Sequence, residues 1–165
     1  MHSVPQGAVT VLIADKSDAV GERLCALLSE VKGLGVLGQA LSIEDTLARV
    51  AAAQPTALVL DLHLAQTNTL GVVRSVKALA PRCVVIILAH HSAEIFQRES
   101  RRSGADFCFH KATEFEKVVE LLRDLAAVAS PNRGLVRSAG ATETTPHRLP
   151  PEKAGTQESW HPSIP

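Results

Sequence analysis

Three short apolar runs, Ala8 to Ala14 (AVTVLIA), Thr56 to Leu60 (TALVL) and Cys83 to Ala89 (CVVIILA), limit what this chain can fold into. Each is almost continuous in Val, Leu, Ile and Ala, the pattern of a strand buried on both faces, as parallel sheets require. Two weaker candidates, Gly35 to Leu41 and Asp106 to His110, bring the set to five. The segments between carry helical spacing: Val20, Leu24, Leu27, Leu28 and Val31; Ile43, Leu47 and Val50; Leu70, Val73 and Val76; Phe115, Val118, Val119 and Leu122. Ser42 and Ser92 stand where N-caps are needed, and Thr113 with Glu116 has the spacing of a capping box.

Strands and helices that alternate with short connections, joined by right-handed crossovers, predict an α/β fold. The expected architecture is a doubly wound five-stranded parallel sheet with helices on both faces, in the flavodoxin-like order 2-1-3-4-5.

This pattern occupies residues 8–128. From residue 129 to 165 the apolar period is lost, and six of the nine prolines fall between Pro131 and Pro165 among many Ser, Thr and charged residues. The reading there is a disordered Pro/Ser/Thr-rich tail. Trp160 is an incidental aromatic in that tail or, on a sharper reading, a docking anchor. Lys plus Arg and Asp plus Glu both number 17 in the 165 residues, so the charge balances. A binder of phosphate backbones normally shows a basic excess, so nucleic acid is not the expected partner. No apolar run approaches the roughly 20 residues that cross a bilayer. Nor does the N-terminus show a charged segment leading into an apolar one, so the expectation is a cytoplasmic protein without a membrane partner. Cys25, Cys83 and Cys108 are far apart, show no C-x-x-C pattern and sit in apolar runs, as thiols packed as small hydrophobes do.

In a doubly wound sheet, ligands bind beyond the carboxyl ends of the strands where the strand order switches. The first strand ends there in Asp15 and Lys16, the third in Asp61, the fourth in Ala89 and His90, and the fifth in Lys111. Neighbouring strands lie about 4.8 Å apart, so Asp15 and Asp61 should share one cleft, and Lys111 reaches them across roughly two strand spacings. A structural salt bridge would account for such a trio; three charges at the ligand-binding edge favour function.

Together VLIADKSD, ALVLDLHL, VVIILAHHS and SGADFCFHKATEFEKVVELL resemble the receiver domain of bacterial two-component response regulators, the CheY-like fold, over about residues 8 to 128. The resemblance implies that Asp61 is the phosphoacceptor, taking a phosphoryl group from the histidine of a sensor histidine kinase or a histidine phosphotransfer protein. It implies Mg²⁺ held by Asp15, by Asp61 and by the backbone carbonyl of His63, and Lys111 in contact with the phosphoryl oxygens. It also implies phosphorelay signalling to a downstream protein and no enzymatic activity beyond self-phosphorylation.

The chain departs from that family at several positions. Lys16 stands where a second metal-binding acid is usual, an exchange that costs a divalent ion up to roughly 6 kcal/mol at an effective dielectric of 20. On this reading Lys16 partly replaces the metal cation. Ala89 lacks the hydroxyl that the family uses to hold the phosphoryl group, Cys108 replaces the switch aromatic, Ala65 replaces a proline, and Gly71 is all that remains of a Gly pair. These changes keep a second reading open, a pseudo-receiver that acts as a phosphorylation-independent interaction module. A third, a cofactor binder of flavodoxin type, lacks a Gly-rich or hydroxyl-rich phosphate loop after strand 1 or strand 3. His63, His90, His91 and His110 are read as solvated loop histidines rather than a transition-metal site. Arg98, Arg101 and Arg102, among Glu94 and Glu99, form a basic helix patch that is either solvated or a contact surface for an acidic partner.

Overall fold

The computed structural model describes residues 8–65, 69–90 and 102–129. In chain order these form β1 (Val9–Ala14), α1 (Asp18–Ser29), β2 (Leu34–Ala40), α2 (Ile43–Ala53), β3 (Ala57–Asp61), a 3-10 turn (Leu62–Ala65), α3 (Thr69–Leu79), β4 (Val84–Ala89), β5 (Phe107–His110) and the C-terminal helix α4 (Phe115–Ala129). The sheet has the order β2-β1-β3-β4-β5 with every neighbouring pair parallel, as expected.

Side chains alternate along each strand, so the sheet feeds two cores. Val11, Ile13, Val59, Ile86, Leu88 and Phe109 face α1 and α4, where they meet Leu24, Leu28, Val118 and Leu122. Leu12, Leu58, Leu60, Val85 and Ile87 face α2 and α3, where they meet Val50, Val73 and Val76. Leu12, Leu58 and Ile87 are fully shielded, and each such side chain contributes roughly 1.5–3 kcal/mol of burial.

Every expected strand forms, with boundaries one residue away from the apolar runs. Thr56 lies outside β3 because Thr10 and Thr56 exchange side-chain bonds instead of ladder bonds, each backbone N–H donating to the other's Oγ1 at 3.1 Å. Asp61 joins β3 because it stays in register with Leu88. Cys83 belongs to the preceding turn, where its N–H donates to the Ala80 carbonyl. β2 closes at Ala40 and leaves Leu41 exposed.

Ser42 caps α2 as expected, its Oγ accepting from Asp45 N–H at 3.1 Å. The capping box expected from Thr113 and Glu116 does not form. α4 begins at Phe115, which makes Glu114 the flanking residue, and Thr113 Oγ1 meets His110 Nδ1 at 3.0 Å instead. The two oxygens of Glu114 do more than a hydroxyl could: one accepts from His110 N–H at 2.8 Å, the other from Lys117 Nζ at 2.9 Å. Ser92, Trp160 and the tail beyond residue 129 lie outside the described residues.

One irregularity bears on the functional edge. Val11 pairs with Val36, but Leu12 pairs with Gly38, so Leu37 is an extra residue in β2 and Gly38 takes a φ of +105°. Because side chains alternate, the bulge turns the following residue, Gln39, from the α2–α3 face to the α1 face.

Candidate functional site

The carboxyl ends of β1, β3 and β5 converge. Asp15 follows β1 directly, its N–H still bonded to the Ala40 carbonyl at 3.1 Å; Asp61 is the last residue of β3; and Lys111 follows β5, with its N–H bonded to the Ala89 carbonyl at 2.8 Å. All three are buried, at 1%, 4% and 9% exposure, so the charges meet out of bulk water.

Lys111 Nζ lies 2.7 Å from Asp15 Oδ2 and 3.2 Å from Asp61 Oδ2. Asp15 Oδ1 accepts from Ser17 N–H at 2.8 Å. Asp15 Oδ2 and Asp61 Oδ1 are buried with no hydrogen-bond partner, the approach of Lys111 to the former being a charge contact without hydrogen-bond alignment. The trio carries a formal charge of −1 when all three groups are ionised. Buried carboxylate oxygens without donors are costly. An orphaned oxygen beside a second carboxylate is the donor chemistry of a hard cation, which binds through one or two carboxylates, a carbonyl and water. The residues present therefore fit Mg²⁺, with the His63 carbonyl on the turn after Asp61 as a further oxygen.

The loop that carries Asp15 is held by a residue that sequence reasoning missed. Gln39, turned toward α1 by the β2 bulge, donates from Nε2 to the carbonyls of Asp15 at 2.8 Å and Ser17 at 3.2 Å. Its side chain lies so close to α1 that a Cβ on Gly21 would come within 2.0 Å of Gln39 Oε1. The available signal was the glycine before Gln39 in a weak edge strand.

The altered positions fall as follows. Lys16 is exposed and makes no ion pair or hydrogen bond among the described residues. Lys111, not Lys16, lies between the two carboxylates, and an exposed ammonium is well solvated in water. Ala89 is buried at 2% exposure and offers no hydroxyl. Cys108 is half-buried at the edge of the α2–α3 core. Burial first, and the Glu114 carboxylate second, push its thiol up to about 11. Burial likewise raises Cys83 to about 11. Neither is a reactive thiolate near neutral pH.

His63 and His90 are exposed, with ring centroids 5.0 Å apart and planes tilted by 48°. His110 is tied to Thr113. Among the described residues no three His, Cys, Asp or Glu side chains are grouped to hold a metal. His91, Glu94, Arg98, Glu99 and Arg101 lie outside the described residues, and Arg102 is exposed. No helix among the described residues is long and apolar enough to cross a membrane.

A protein-glutamate methylesterase/protein-glutamine glutaminase of Myxococcus xanthus is 32% identical over 155 residues, covering 92% of this chain and 41% of that protein. The chain spans from 41% to 56% of the length of the curated relatives it matches. Among solved structures, the receiver domain of a putative response regulator, NarL, from Mycobacterium tuberculosis superposes with a TM-score of 0.65 at 20% identity, covering 73% of this chain and 97% of that one. A Burkholderia pseudomallei response regulator solved with a phosphorylated aspartic acid, calcium ion and citrate superposes with a TM-score of 0.61 at 21% identity, covering 72% and 69%. The response regulator receiver domain model matches residues 11–123, which with the fold just described means that the chain belongs to the receiver domain family of two-component response regulators.

Proposed function

We propose that Asp61 accepts a phosphoryl group and that residues 8–128 act as a receiver in cytoplasmic phosphorelay signalling. The observation that carries this reading is the buried Asp15–Lys111–Asp61 trio, in which Asp61 keeps one oxygen without any donor. The donor would be a phosphohistidine of a sensor histidine kinase or a histidine phosphotransfer protein. An Asp61 carboxylate oxygen attacks phosphorus, the new O–P bond forms, the N–P bond of the donor breaks, and the donor's ring nitrogen takes up a proton. Lys111 lies 3.2 Å from Asp61 Oδ2, so its charge offsets the negative charge that the incoming group brings. Asp15, Asp61 and the His63 carbonyl would hold Mg²⁺, which when bound supplies positive charge to the transferring oxygens. Ser17 and Gln39 keep Asp15 oriented for that role. A phosphorylated aspartate in a structural neighbour supports the reading by analogy. The output is contact with a downstream protein.

A second reading has its own support. Ala89 lacks the hydroxyl of the usual receiver, and Cys108 lacks the switch aromatic, so a module that binds its partner without phosphorylation fits those two positions better. Incubation with acetyl phosphate, with and without Mg²⁺, separates the two. The leading reading expects one added phosphoryl group by intact mass, lost in Asp61→Asn. No adduct with any divalent cation leaves the second.

A further inference from the structure

His63 and His90 occupy matching places around Asp61. Asp61 pairs with Leu88 across β3 and β4, and each histidine lies two residues beyond one member of that pair. Their rings meet across the β3–β4 boundary at 5.0 Å, at the edge where β3 ends in Asp61. Neither ring makes a hydrogen bond or ion pair among the described residues, and both are exposed. Imidazole offers an N–H in either tautomer, so two uncommitted donors stand at the strand edge where β3 ends in Asp61. Two other positions offer less: Lys111 is shared between Asp15 and Asp61, and Ala89, beside His90, has no hydroxyl.

A phosphoryl group on Asp61 brings oxygens that need donors in a cleft where two carboxylate oxygens already have no hydrogen-bond partner. We propose that the His63–His90 imidazole pair hydrogen-bonds the phosphoryl oxygens on Asp61, in place of the hydroxyl that Ala89 lacks. The inference rests on the phosphorylation of Asp61 proposed above. The two rings brace each other, which fixes two exposed side chains that would otherwise lose rotamer freedom on binding. The site thus takes a tetrahedral oxyanion through paired N–H groups, with Lys111 as its charge partner.

The test uses the full chain with beryllofluoride, a phosphoryl mimic that fluorine NMR detects when bound. Four proteins are compared: the unaltered chain, Asp61→Asn, a double variant with His63→Phe and His90→Phe, and a double variant with His63→Gln and His90→Gln. Phenylalanine keeps the ring contact and removes both donors; glutamine keeps an N–H and removes the ring. The phenylalanine pair is expected to weaken binding by at least about tenfold, the worth of one hydrogen bond to a charged group, with the glutamine pair recovering most of it. Binding by the phenylalanine pair within about threefold of the unaltered chain, while Asp61→Asn abolishes it, overturns the imidazole contact and leaves phosphorylation of Asp61 standing. Loss in both double variants alike overturns it too, since the donor would not be what matters. If the unaltered chain takes up neither beryllofluoride nor a phosphoryl group from acetyl phosphate, both the inference and the phosphorylation reading fall.

Discussion

Gln39 and Gly21 are interlocked: the carboxamide that grips the Asp15 loop occupies the space a Cβ on Gly21 would need. Gln39→Ala removes two hydrogen bonds to backbone carbonyls, at a cost of about 1–3 kcal/mol. Gly21→Ala displaces Gln39 and loses the same bonds, but it regains up to about 1 kcal/mol of helix propensity in α1. The double variant should therefore cost clearly less than the sum of the two. Urea unfolding of the three proteins checks this, and additive costs would mean that the two residues act separately.

Lys111 is the one side chain that forms ion pairs with both buried carboxylates among the described residues. Lys111→Met leaves two like charges buried together and should destabilise the protein by about 3–5 kcal/mol. Adding Asp15→Asn to that variant removes one charge and should recover part of the loss. Millimolar Mg²⁺ should raise the melting temperature of Lys111→Met more than that of the unaltered chain, because the ion takes the place left by the ammonium. Equal shifts would count against a cation site between Asp15 and Asp61.

The architecture and the trio could be read in the sequence because both depend on strong local signals. Val, Leu and Ile runs define strands buried on both faces, and the strand order then brings Asp15, Asp61 and Lys111 to one edge whatever the details of packing. What could not be read depends on the placement of single residues. One extra residue, Leu37, flips Gln39 to the α1 face, and nothing in LGVLGQA says which residue is unpaired. Thr113 and Glu114 both suit a helix start, and the bond from His110 N–H favours the carboxylate. Lys16 is a residue away from Asp15, yet the chain carries it into solvent at the point where it leaves the strand.

Glu114 makes the fold sensitive to acid. The His110 backbone N–H, and then Lys117, hold its carboxyl below the ordinary 4.5. A depressed carboxyl contributes stability that is fully present above 4.5 and is lost as pH falls through its lower folded value. The difference in stability between the unaltered chain and Glu114→Gln should therefore be constant at neutral pH and shrink below about pH 4.5, in urea titrations across that range. A difference that grows on acidification would contradict the assigned bond to His110.

Cys108 should behave as a packing residue rather than a reactive one. With its thiol near 11, about one molecule in a thousand is ionised at pH 8. Cys83, fully buried and raised as far, should be slower still, because access adds to ionisation. In the native protein at pH 8, iodoacetamide should label both far more slowly than in urea, with the Cys108 rate rising about tenfold per pH unit up to its own value. Peptide mass mapping after timed quenching assigns each site. Rapid native labelling of Cys108 at pH 8 would mean that the thiol lies in solvent, and the α2–α3 core edge would then be more open than the packing of Cys108 against it indicates.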